Sequence, residues 1–170
     1  MSYTPNINRE KGFTILEIIA AVFILIVAVV AICFAFSQIV VATSLVSSRL
    51  TAAYLAQEGI EIIRNIRDSN WFTLGWDVNL STCSSGCEAD YTTGTGVLGA
   101  TPLRNYTGNH LNIDEDNFYS YLAGTPTRFT RKITVMADSD YILRVSVLVN
   151  WQDRGKSYNY ETEESLYDWY

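Results

Sequence analysis

Lys11-Gly12-Phe13-Thr14-Ile15-Leu16-Glu17 opens an apolar run that continues to about Val46, and this stretch decides the architecture. Between Glu17 and Arg49 lie 31 residues without a charge. As an α-helix rising about 1.5 Å per residue they would reach roughly 46 Å. A hydrocarbon core of about 30 Å needs only some 20 apolar residues, so the run is long enough to span a bilayer and continue beyond it. From Ile18 to Val41 the sequence is apolar on every face apart from Ser37 and Gln38. A soluble core helix keeps a polar stripe, whereas one that is apolar all round is surrounded by lipid or by other helices. A secretory signal peptide fits poorly. Its apolar core runs to about 7–15 residues and its small-residue cleavage site follows that core, whereas Gly12 precedes a run about twice as long.

Downstream, the pattern predicts that the helix continues past Arg49 to about Asp68 and becomes amphipathic. Ala52, Leu55, Ala56, Gly59, Ile62, Ile63 and Ile66 recur at spacings of three and four, opposite Gln57, Glu58, Glu61, Arg64, Asn65 and Asp68. Burying Leu55, Ile62, Ile63 and Ile66 contributes about 1.5–3 kcal/mol each, enough to dock a sheet on that face. Gly59 weakens the helix by about 1 kcal/mol relative to Ala, a loss that close packing of a strand or helix would offset. Arg64 and Arg67, beside Glu61 and Asp68, read as a solvated ion-pair face. From Trp71 to Thr127 periodicity gives way to turn formers, with seven of the ten glycines in the interval. After Pro126 the period becomes two. Phe129, Arg131, Ile133 and Val135 form one face of a strand, and Asp138-Ser139-Asp140 a turn. Leu143, Val145, Val147, Val149 and Trp151 form one face of the next strand. Asp153-Arg154-Gly155 turns the chain into a third strand over Lys156 to Leu166. The expected fold class is α+β: a long N-terminal helix, a loop region and a C-terminal antiparallel meander laid on the helix.

The heptapeptide KGFTILE at the mouth of an apolar helix resembles the processing site of type IV pilins and pseudopilins. In that family a short charged leader ends in Gly and the mature chain begins with a hydrophobic residue. The resemblance implies a leader over 1–12, a membrane and filament-core helix over 13–48, its amphipathic continuation over 49–70, a loop-rich region over 71–127 and a sheet over 128–170. It further implies cleavage by a prepilin peptidase between Gly12 and Phe13 and N-methylation of Phe13. The leader would be cytoplasmic and the C-terminal domain extracytoplasmic, an orientation that charge alone does not settle, because Arg49, Arg64 and Arg67 follow the helix as Arg9 and Lys11 precede it. Residues 52–71 also resemble a stretch of pilin-like proteins.

Glu17 is the residue that joins this motif to assembly. A carboxylate within a bilayer costs about 2.5–3.5 kcal/mol near the centre and less near an edge, so it has a partner or a route to the headgroups. Four residues after Phe13, it is expected on the face of the new N-terminal amine, within its own subunit or across to a neighbour. Cys33 lies in the apolar helix, where it acts as a small hydrophobe. Cys83 and Cys87 frame Ser84-Ser85-Gly86 in a loop that faces an oxidising compartment under this orientation. A small disulfide ring is therefore expected there in preference to a metal site, which needs further ligands.

Other chemistry has little to build on. The formal charge is −6. Removal of Arg9, Glu10 and Lys11 with the leader takes away a net +1 and leaves −7, which disfavours broad electrostatic capture of nucleic acid. Asn112, Asp114, Glu115 and Asp116 form an acidic cluster without the Gly and distal Glu of a helix-loop-helix calcium site, and read as a solvated loop. His110 is the sole histidine. No Ser/His/Asp set, phosphate-cradling Gly loop or metal cluster is evident, so neither enzymatic activity nor a cofactor is expected. The reading is a structural subunit of a pilus-like or pseudopilus filament. Its partners would be other pilin subunits, the prepilin peptidase, the inner-membrane assembly machinery and, before assembly, membrane lipid. Two alternatives stand beside it: a minor or tip subunit that binds a ligand, surface or DNA, and a plain single-pass anchored domain.

Overall fold

The computed structural model describes residues 12–71, 75–94 and 102–168, so the expected leader falls outside the described residues except for Gly12. The chain divides into two units, Met1–Ser44 and Leu45–Tyr170. One helix, α1 (Ile15–Trp71), contributes to both.

In the first unit the large apolar side chains are exposed throughout, from Ile15 at 79 % to Val41 at 37 %. Two of its hydroxyl side chains bond to the helix itself. Ser37 donates its hydroxyl to the carbonyl of Cys33, and Thr43 donates to those of Ile39 and Val40. Back-bonding of this kind satisfies a hydroxyl without water, which is what an apolar surrounding requires.

The second unit is an antiparallel sheet with α1 residues 45–71 packed on it, an α+β arrangement. Three long strands form its main part: β5 (Thr125–Ser139), β6 (Ile142–Asp153) and β7 (Lys156–Tyr167). Phe129 pairs with Trp151 and Ile133 with Val147, while Val147 also pairs with Thr162. This register places Leu143, Val145, Val147, Val149 and Trp151 in the core with Ile133, Val135 and the helix residues Ala52, Leu55, Ala56, Ile62, Ile63 and Ile66. Strict alternation on β6 follows because one face meets the helix and the other does not. The β6–β7 connection is a two-residue hairpin in which Arg154 and Gly155 both take positive φ, as the twist of paired strands favours. The turn before β6 lies one residue later than the sequence suggests, since β5 extends to Ser139 with a register shift after Ala137.

At Gly59 the helix lies close against the sheet. A Cβ there would lie 2.9 Å from Val147 Cγ1 and 3.3 Å from Arg131 Cδ, so the absent side chain lets the helix settle on the sheet. The close packing expected to offset the helix-weakening glycine is therefore present.

The interval 71–127 is more structured than its composition suggests. It holds a 3-10 helix (Leu80–Cys83) and four short strands: β1 (Cys87–Glu88), β2 (Arg104–Asn105), β3 (His110–Ile113) and β4 (Tyr119–Ser120). The edge of β5 opposite β6 is shared, with β3 paired along Thr125–Thr130 and β1 at Ile133. Strands of two to four residues are too short to impose a readable period.

Candidate functional site

The helix does not begin at Phe13. Gly12, Phe13 and Thr14 are non-helical, and α1 starts at Ile15. Thr14 is the N-cap. Its Oγ1 accepts from the backbone N–H of Glu17 at 3.3 Å, and its carbonyl accepts from Ile18 N at 3.2 Å. Thr-x-x-Glu with this bond is the sequence pattern of a capping box, in which a Glu at the third helical position also complements the positive end of the helix dipole. This revises the geometry expected for Glu17. Phe13 precedes the cap, so helical i,i+4 spacing does not place its amine on the Glu17 face. Thr14 went unassigned in the sequence reading, although S/T-x-x-E ahead of an apolar run was its visible signal. Phe13 is 79 % exposed, and the Gly12–Phe13 bond lies in non-helical backbone immediately before the capped turn.

Cys83 and Cys87 form a disulfide that links the end of the 3-10 helix to the start of β1. Both residues are buried in the core, whereas Cys33 is exposed on the apolar helix.

The ionic residues of α1 are more engaged with the domain than a solvated face would be. Arg64 Nη2 donates to both carboxylate oxygens of Glu164 on β7, at 2.6 and 2.7 Å, and Nη1 pairs with Glu61. The hydrogen bond to Glu164 raises the Arg64 pKa further above its ordinary value. Arg67 is buried, at 6 % exposure, and pairs with Asp68 at 2.7 Å. The solvated reading is thus corrected for Arg67 because the helix face turned to the domain is wider than its run of aliphatic residues; Ile60 is also buried.

Arg131 is fully buried. Nη1 donates to the carbonyl of Leu55 at 2.9 Å and to Glu58 Oε2 at 2.8 Å, and Nη2 donates to the carbonyl of Ala89. One guanidinium therefore ties helix, sheet and the segment after β1 together. Two further buried carboxylates organise that region. Glu88 accepts from the backbone N–H groups of Thr107 and Asn109 at 3.0 Å each. Asp90 accepts from Thr92, Thr93, Arg104 and the N–H of Tyr121. Burial pushes the Asp90 pKa up, but the Thr92 hydroxyl, the Tyr121 and Thr92 N–H groups and Arg104 together hold it below the usual carboxylate value.

The acidic cluster behaves as a loop built around one carboxylate. Asp114 Oδ1 accepts from the N–H groups of Asp116 and Phe118, and Oδ2 accepts from the Tyr91 hydroxyl. Among the described residues no group of three or more His, Cys, Asp or Glu side chains is arranged to hold a metal ion. His110 is exposed on β3.

Comparison with family models, with curated proteins and with solved structures returned no match.

Proposed function

We propose that this chain is a non-enzymatic structural subunit of a type IV pilus-like or pseudopilus filament. One observation carries the reading: Gly12-Phe13 stands in non-helical backbone directly before a capped helix whose apolar surface the described chain leaves uncovered. A helix this long and apolar is compatible with a single-pass membrane anchor. Lipid covers the exposed surface before assembly and helices of neighbouring subunits cover it afterwards, so one segment serves both states. A prepilin peptidase removes residues 1–12 and methylates Phe13. The domain from Leu45 onward faces away from the cytoplasm, where its disulfide is retained.

In the filament, Glu17 neutralises the N-terminal amine of Phe13 in an adjoining subunit. The capped geometry favours this over an intramolecular pair, because Phe13 lies outside the helix. The test is sheared filament yield relative to membrane-held subunit for wild type and Glu17→Ala, in cells that carry the matching peptidase and assembly machinery. Glu17→Ala is expected to insert, fold and be cleaved, with filament yield strongly reduced because several kcal/mol per subunit are lost from an uncompensated buried amine. Equal yield at equal subunit level would overturn the pairing. A chain that retains Met1 by intact-mass measurement in those cells would overturn the filament reading itself.

A further inference from the structure

The third long strand, β7, forms an open edge of the sheet. It pairs with β6 along its whole length and, among the described residues, with nothing on its other side. The sheet's other ends are β2 and β4, of two residues each, whereas β7 runs for twelve without a proline or a register shift. Native edges are ordinarily kept short, bulged or interrupted by proline, because a long flat edge offers a row of free N–H and C=O groups to another strand. We infer that β7 is a docking edge that takes, as an added strand, an extended segment of a partner protein in which basic and β-branched side chains alternate.

The two faces of β7 specify that alternation. Glu161 and Glu163 lie opposite Leu148 and Ser146, on the face turned away from α1. Both are exposed. Glu161 accepts from the Ser146 hydroxyl, and among the described residues neither carboxylate pairs with a cation. Cross-strand neighbours on that face meet these carboxylates directly, so Lys or Arg is favoured there and an acidic residue is repelled. Tyr160 and Thr162 lie opposite Val149 and Val147, on the face turned to α1. On that side a groove of about 410 Å3 opens between strand and helix, lined by Gln57, Ile60, Glu61, Arg64 and Thr162 among others. Its charges are already engaged, since Arg64 is shared by Glu61 and Glu164. An uncharged strand former fits beside Tyr160 and Thr162 better than another ion does. A second copy of β7 is a poor occupant, because antiparallel pairing about Thr162 would set each Glu161 against a Glu163, like charge on like.

The edge belongs to the folded domain and is tested independently of filament assembly, on the full chain in micelles of a non-ionic detergent. The probe is the fluorescently labelled peptide Lys-Val-Lys-Val-Lys-Val-Lys. Lys-Pro-Lys-Pro-Lys-Pro-Lys has the same charge but cannot join a ladder, and Glu-Val-Glu-Val-Glu-Val-Glu is the acidic counterpart. Anisotropy measures the affinity, and amide hydrogen exchange locates the contact. The Lys-Val peptide is expected to bind saturably and to slow exchange in β7, with the Lys-Pro and Glu-Val peptides about tenfold weaker or more. The double variant Glu161→Gln, Glu163→Gln is expected to weaken Lys-Val binding about tenfold. Glu115→Gln, an exposed loop change outside β7, is expected to bind as wild type and separates the edge from the overall charge of the chain. Equal affinity for the Lys-Pro peptide would reduce the interaction to charge and overturn the inference, as would the absence of β7 protection by the Lys-Val peptide. Protection of β7 that rises with protein concentration in the absence of peptide would assign the edge to a second copy and overturn it as well.

Discussion

Replacement of Glu58 by Ala offers the sharpest test of how helix and sheet are joined. Arg131 is wholly buried, and Glu58, one-third exposed, is its carboxylate partner at 2.8 Å. Removing one member of a buried pair costs about 3–5 kcal/mol, because the remaining charge has neither partner nor water. The exposure of Glu58 lets some water reach the Arg131 guanidinium once the carboxylate is gone, and the carbonyls of Leu55 and Ala89 still accept from it, which places the expected loss below that range, at about 2–3 kcal/mol. A solvated surface pair would lose about 1 kcal/mol or less. Arg131→Met keeps much of the volume and removes the charge, but leaves the Ala89 carbonyl without its guanidinium donor, for an expected loss of about 1–3 kcal/mol. The informative quantity is the coupling. In the double variant Glu58→Ala has no buried cation to strand, so its additional effect should fall close to zero. Guanidinium unfolding of the full chain in micelles, followed by near-ultraviolet circular dichroism of the Trp- and Tyr-rich domain, gives all four corners of the cycle. A Glu58→Ala loss below about 1 kcal/mol with additive single effects would refute the argument that this pair locks helix to sheet.

The remaining predictions address other contacts. Gly59→Ala gains about 1 kcal/mol of helix propensity but drives a methyl to 2.9 Å from Val147, an overpacking cost of about 1–3 kcal/mol. A net loss near 1 kcal/mol is expected from chemical unfolding, and it should reverse to a gain in a Val147→Ala background. Asp90 has its folded pKa below the usual value, so its contribution is present above about pH 3.9 and is lost as pH falls through the folded pKa. The thermal stability of wild type should therefore drop more steeply below about pH 4 than that of Asp90→Asn, and parallel curves would reject the assignment. Opening the Cys83–Cys87 ring by the double Ser substitution should lower stability by about 2 kcal/mol, the chain-entropy value for a loop of about five residues. Unchanged unfolding midpoints would show that the ring is not a constraint on the folded domain.

The apolar run, the amphipathic face and the three long strands were legible in the residues because each is periodic over many turns or pleats. Ile62, Ile63 and Ile66 lie in the core, as does the whole alternating set from Leu143 to Trp151. Periodicity accumulates along one element, so a long element declares itself without its neighbours. The stretch that resembles a processing motif was equally local, a run of seven residues. Only the tertiary structure decided what those elements do to single polar residues. Arg131 shared the apolar face of its strand, but no local pattern named the groups that satisfy its buried charge, because its partners Leu55, Glu58 and Ala89 lie 76, 73 and 42 residues away. Glu88 and Asp90 likewise organise 71–127 through contacts with residues up to 31 positions distant, which no local window contains. The difference has one physical cause. Hydrophobic burial is non-directional and needs only a face, whereas a buried charge needs specific partners, and the fold alone determines which residues those are.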